Sequence, residues 1–265
     1  MASEAPLAVI LRRGPSKQVC TVLWNRKQDT FHLGQWFKGQ IYAHRCDLSP
    51  NGLNLIYFAL KGRKTEADTT WTAISRAPYL KAEVLFAKGD TWHGGGLWVS
   101  NTEYWLNDGY GHRVVRNNAL YKQNAQVWPL GWDGGSWQSR SVYFARLLRD
   151  GWKPLSAEPL TEKHNAHTFT KPVTKGWVLR KQFQVGNNRE LGRGCGWEGH
   201  ELFREQNGVQ LPYPNWEWAD WDGNRIVWAT AGRLETGKLT TTGLTDIRVL
   251  EDFNDMKFEA IKAPY

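Results

Sequence analysis

The chain has 265 residues, of which 41% are hydrophobic and 23% charged, and a formal net charge of +8, a composition suited to a globular protein with a sizeable core. No stretch approaches the roughly 20 apolar residues that cross a bilayer as a helix. The early apolar run is followed rather than preceded by Arg12 and Arg13, the reverse of a secretory leader, so a cytoplasmic chain with no membrane partner is expected.

In chain order, the first element is a strand at A-V-I-L, residues 8–11. The segment D-L-S-P-N-G-L-N-L-I-Y-F at 47–58 follows, with Asn51-Gly52 as a hairpin turn and Leu55–Phe58 as a strand. Asp47 and Ser49 read as turn residues. G-G-G-L-W-V at 94–99 is a further strand, and V-Y-F-A at 142–145 echoes I-Y-F-A at 56–59. K-H-N-A-H-T-F-T, polar and closed by Lys171-Pro172, reads as loop, whereas W-V-L-R-K-Q-F-Q-V near 184 reads as strand. D-G-N-R-I-V-W-A at 222–229 aligns without gaps on residues 51–58, and the C-terminal I-R-V-L-E-D-F continues in strand-like sequence to the end. No long stretch carries helical apolar spacing with a cap at each end.

These strands recur. Ile56, Trp98, Val142 and Val227 stand 42, 44 and 85 residues apart, which gives a period of about 43 residues, the range of β-propeller blades. A second element, Trp-x-Gly, appears at Trp92-His93-Gly94, Trp132-Asp133-Gly134 and Trp221-Asp222-Gly223. The 16 tryptophans then read as rings packed within the repeats, or as a set of exposed platforms.

D-L-S-P-N-G-L-N-L-I-Y-F resembles the Asp-x-Ser-Pro-Asp-Gly-plus-strand repeat of TolB-like and WD-repeat propellers, and W-D-G-N-R-I-V-W at 221–228 is similar to a shortened second copy. The resemblance implies an all-β fold serving as an interaction scaffold, and it brings no catalytic residues. The expectation is one all-β domain over residues 1–265, a single β-propeller of about five or six four-stranded blades.

Chemistry is sparse. His164 and His167 are the one close histidine pair, without flanking Cys or acidic residues, so no metal site is expected. R-G-C-G-W around Cys195 lacks the G-K-[ST] of a phosphate loop, and no cofactor is expected. Cys20, Cys46 and Cys195 are few and scattered, which fits reduced thiols better than a disulfide framework. Cys20 and Cys46 sit in apolar contexts and read as inert, while Cys195 has the more flexible setting. Asp47, Asp90, Asp133 and Asp220 recur at about blade spacing. They are read as turn residues, with paired glycosidase carboxylates as the alternative.

The function expected is therefore non-enzymatic: a protein partner held by loops on one face, around 89–96, 131–137 and 193–200. The candidate binding residues are Asp90, Trp92, His93, Trp132, Asp133, Trp137, Trp197 and His200. A carbohydrate ligand, stacked on Trp, is one alternative. Nucleic acid is another: residues 1–64 hold ten Lys/Arg against three acidic residues, and Arg12, Arg13, Lys17, Arg26, Lys27 and Lys38 would meet phosphates.

Overall fold

The computed structural model describes residues 1–14, 17–62, 69–109, 111–125, 140–155, 166–185 and 196–265. The chain divides into two compact units, one of Met1–Asp150 with Lys257–Tyr265, the other of Gly151–Met256.

The first unit opens with an antiparallel meander of β1 (Leu7–Gly14), β2 (Gln18–Asn25) and β3 (Thr30–Lys38). Next come β4 (Gln40–Ile41), β5 (Asp47–Leu48), β6 (Asn54–Leu60), β7 (Thr70–Arg76) and β8 (Ala82–Ala87), then β9 (Gly96–Trp98), β10 (Glu103–Leu106), β11 (Arg113–Arg116) and β12 (Lys122–Gln123). The second sheet runs β11-β8-β7-β6-β4, with β5 also on β6, and the third runs β12-β10-β9.

Strand β6 shows why these sheets stack. Leu55, Tyr57 and Ala59 pack with Val19 of β2, Ile41 and Ala73. Ile56, one residue out of phase, packs instead with Phe86, Trp98 and Tyr104. A strand alternates its side chains across two faces, so a continuous apolar run such as L-I-Y-F-A is needed where both faces are covered. Each fully buried side chain of this size stabilises by about 1.5–3 kcal/mol.

The second unit holds two meanders: β13 (Lys153–Pro154), β14 (Ala166–Pro172), β15 (Trp177–Val185), β16 (Gly196–Arg204) and β17 (Val209–Tyr213), then β18 (Trp218–Asp222), β19 (Arg225–Thr230), β20 (Arg233–Leu239) and β21 (Leu244–Asp252). Here the strand expected near 184 is β15.

The two aligned segments adopt one geometry. Gly52 and Gly223 both take positive φ, 77° and 65°, a region open to glycine at no steric cost. Strands β6 and β19 begin at equivalent positions, Asn54 and Arg225. Asp47 faces Ile56 across the β5–β6 pair and Asp220 faces the equivalent Val227 across β18–β19.

Two expectations are corrected. V-Y-F-A at 142–145 is not a strand: it lies in the helix α1 (Arg140–Arg149). The residues that follow it, Arg146, Leu147, Leu148 and Arg149, are strong helix formers, and Gly151 ends the run with φ 86°. Val142, Phe144, Ala145 and Leu147 are nonetheless all buried, as an apolar run permits in either conformation. The Thr-rich stretch read as loop is strand β14 in its described part, 166–172. Thr and Phe favour a pleated surface, and Pro172 is the strand's last residue. Among the described residues no helix is long and apolar enough to cross a membrane.

Candidate interaction site

The loop between β8 and β9 displays Trp92, 54% exposed. No other tryptophan among the described residues is as exposed. Trp24, Trp98, Trp152, Trp177, Trp216 and Trp228 are buried and serve packing.

The loop under Trp92 is fastened from several sides. Arg45, almost wholly buried, donates from Nη1 to the carbonyl of Thr91 at 3.0 Å and to that of His93. Its guanidinium stacks 4.9 Å from the rings of Tyr42 and Phe58, an arrangement in which the aromatic faces offset part of its lost hydration. Asp90 Oδ1 accepts the Trp92 N–H at 2.7 Å, a turn role as expected of it. Gly94 N donates to the Asn107 carbonyl at 2.9 Å, and Asn107 Nδ2 returns a bond to the Gly94 carbonyl at 3.1 Å. A Cβ at Gly95 would lie 2.1 Å from the Arg45 carbonyl oxygen, so only glycine fits there.

Below the loop, Thr72 Oγ1 accepts the Gly95 N–H at 2.8 Å and lies 3.2 Å from His112 Nε2. His112 Nδ1 lies 2.8 Å from Asp108 Oδ1. With the Thr72 hydroxyl donating to Nε2, the imidazole carries its proton on Nδ1 and gives it to Asp108. Hydroxyl, imidazole and carboxylate stand in the order of an acyl-transfer triad, yet Thr72 is fully buried and its oxygen is occupied by Gly95. The relay positions the loop. Burial holds His112 below the usual histidine range, opposed by its bond to Asp108. His93 is lowered as well, first by burial and then by Lys88 and Arg45.

Of the other expected contact residues, Trp132, Asp133 and Trp137 lie outside the described residues, as do Cys195 and His164. Trp197 and His200 are not on a loop: both belong to strand β16, and His200 is buried. There Glu198 Oε2 lies 2.9 Å from Lys181 Nζ and 3.2 Å from His200 Nε2. The His200 Nδ1 meets the Trp216 carbonyl at 3.1 Å. Lys181 faces His200 directly across β15–β16. Burial lowers the His200 pKa against the pull of Glu198. Trp216 is itself stacked between Tyr213 at 4.0 Å and Trp228 at 4.7 Å.

Lys181 and Glu198 escaped the sequence reading, although their signal was present. Trp177, Leu179, Lys181 and Phe183 fall on one face of β15, and Glu198, His200 and Leu202 on one face of β16. A charge inside an apolar stripe at period 2 marks a buried ion pair.

Asp47 and Asp220 are corrected too. Neither serves only its turn: Asp47 is buried and holds Arg149 with both oxygens, while Asp220 binds Lys171 Nζ at 2.8 Å. Their position opposite a core residue, two or more residues before the turn, carries the carboxylate inward rather than to the loop.

Several members of the basic quarter are engaged locally. Arg26 Nη2 donates to the carbonyls of Ala2 and Ala5 at 3.1 and 2.8 Å, and Lys38 Nζ sits 4.4 Å over the Phe258 ring. Arg12 Nη1 donates to the Arg13 carbonyl at 2.9 Å. Lys17 and Lys27 are exposed. Among the described residues no group of three or more His, Cys, Asp or Glu is arranged to hold a metal ion.

No protein-family model and no curated protein match the chain. Among solved structures, the tricorn protease is similar at 7% identity over 94% of this chain, with a TM-score of 0.27. The chain spans 21% of the length of that structure's chain.

Proposed function

We propose that the chain is a non-enzymatic interaction scaffold of the β-propeller type, acting in the cytoplasm and binding a protein partner through the loop that carries Trp92. The carrying observation is the contrast between Trp92 and the other described tryptophans: a large aromatic is left in water on a loop whose backbone is already fixed by Arg45, Asp90 and Thr72. An aromatic anchor on a preorganised loop binds without a large ordering cost. The engagement of Asp90 in its own turn and of Asp220 with Lys171 favours binding over hydrolysis.

The propeller reading is supported by three sheets, β1-β2-β3, β13-β14-β15-β16-β17 and β18-β19-β20-β21, that follow chain order as antiparallel meanders. It is supported also by two hairpins of one register set 171 residues apart, from Asn51 to Asp222, about four periods of roughly 43. The cytoplasmic reading rests on Cys20 and Cys46, both buried free thiols.

The test is affinity capture with the intact chain beside Trp92→Ala. A partner protein recovered by the first and depleted at least ten-fold by the second supports the reading. Saturable glycan binding that depends on Trp92, with no such protein, transfers the site to carbohydrate.

A further inference from the structure

In the first unit a depression of about 490 Å³ is lined by Arg76, Lys81, Glu83, Arg116, Asn118 and Tyr265, with Asn117 beside them. Its one carboxylate is already used. Glu83 Oε1 takes Arg76 Nε at 3.0 Å and Nη2 at 2.9 Å, and Oε2 accepts the Tyr121 hydroxyl at 2.8 Å. Lys81 and Arg116 have no carboxylate within ion-pair distance among the described residues. Lys81 Nζ stands 5.1 Å over the Tyr265 ring, and Arg116 spends one donor on the Ala82 carbonyl at 2.9 Å.

The neutral groups have the same polarity. Asn117 Oδ1 accepts the Asn118 N–H at 2.9 Å and Asn118 Oδ1 accepts the Leu120 N–H at 3.0 Å, which leaves both side-chain NH2 groups as donors. The Tyr265 hydroxyl is satisfied in both senses, donating to the Lys81 carbonyl at 2.8 Å and accepting the Arg76 N–H at 3.0 Å. The side chains lining the depression therefore offer mainly donors, with three cations against one side-chain carboxylate.

We infer that this depression binds a small phosphate monoester, its dianion held by Lys81, Arg116 and the Asn117 and Asn118 amides. Two uncompensated positive charges match a dianion. Guanidinium and ammonium donors are the usual recognition of phosphate oxygens. The volume lies in the range of small-molecule sites and leaves room for the group esterified to the phosphate. This site is separate from Trp92 and does not depend on the function assigned to it.

The test is calorimetric titration of the intact chain with inorganic phosphate, glucose 6-phosphate and a phosphoserine peptide at constant ionic strength. Glucose 6-phosphate should bind saturably, and the double variant Lys81→Gln/Arg116→Gln should weaken it by about ten-fold or more. Lys122→Gln and Trp92→Ala, at residues that do not line the depression, should leave it unchanged. Binding should tighten between about pH 5.5 and 7.5 as the second phosphate proton leaves near pH 6. Absence of saturable binding, equal loss in Lys122→Gln, or a flat pH dependence overturns the site. A ten-fold preference for the phosphopeptide overturns its assignment to a small ester. Thermal melting of each variant confirms that it is folded, and Asn118→Asp supplies a second surface variant, expected to abolish binding by repulsion.

Discussion

Asp47 and Arg149, 102 residues apart, meet through two parallel hydrogen bonds, Oδ2 to Nη1 at 2.6 Å and Oδ1 to Nη2 at 2.9 Å. The same Oδ2 accepts the Trp98 N–H at 2.8 Å, so one carboxylate joins strand β5, strand β9 and helix α1. A bidentate pair of this kind fixes geometry as well as charge.

Asp47→Ala removes three acceptor bonds from a buried site and leaves the Arg149 charge without its main partner. The expected loss is about 3–5 kcal/mol, read as a shift of the urea midpoint at unchanged slope. A double-mutant cycle with Arg149→Met should return a coupling of about 1–3 kcal/mol. A coupling near zero would show that the two side chains act independently.

Glu198 pairs with the Lys181 ammonium and lies against the His200 ring, all three being buried. Glu198→Gln should therefore cost about 3–5 kcal/mol, since it strands a buried ammonium. Replacing Lys181 and Glu198 together by Met and Leu should cost less than Glu198→Gln alone, because the pair's desolvation is relieved. Chemical denaturation of both variants checks the order.

His200, His112 and His93 are all held below their ordinary value of 6.5, in each case first by burial. Below that value the unfolded chain takes up protons that the folded chain refuses, so unfolding is favoured as pH falls. Stability should be full above about pH 6.5 and decline below it, levelling once pH passes beneath the folded pKa values. Melting temperatures taken across that range should show a smaller slope for His200→Asn. An unchanged slope would mean that His200 titrates normally.

Trp92→Ala should leave stability within about 0.5 kcal/mol, because an exposed ring has little packing to lose. Gly95→Ala, by contrast, should destabilise strongly: its Cβ meets the Arg45 carbonyl at 2.1 Å and its φ is 80°. Thermal melts of both variants distinguish the displayed side chain from the frame that carries it.

Burial raises the Cys20 thiol to about 12 and the Cys46 thiol to about 11. Neither should form thiolate at neutral pH, so both should react with a thiol reagent only after unfolding. Mass analysis of the alkylated native chain checks this; modification of either residue before denaturation would contradict their burial.

Local chemistry was legible in the amino-acid order. Asn51-Gly52 and Asp222-Gly223 announced their turns because only certain residues take positive φ, and L-I-Y-F and I-V-W announced strands through β-branched and aromatic density. V-Y-F-A did not separate strand from helix, since four apolar residues satisfy either period and the deciding helix formers and terminal glycine lay downstream. Asp47, Asp220 and His200 carried no mark of their partners. Arg149 reaches Asp47 from helix α1, Lys171 reaches Asp220 from a strand of another sheet and the Trp216 carbonyl meets His200 from outside its strand, so tertiary packing decides which groups meet. Trp92 likewise shares its motif with Trp221-Asp222-Gly223, whose ring is only partly exposed. Its exposure was decided only by tertiary structure, because Arg45, distant in sequence, holds the loop with the ring in water.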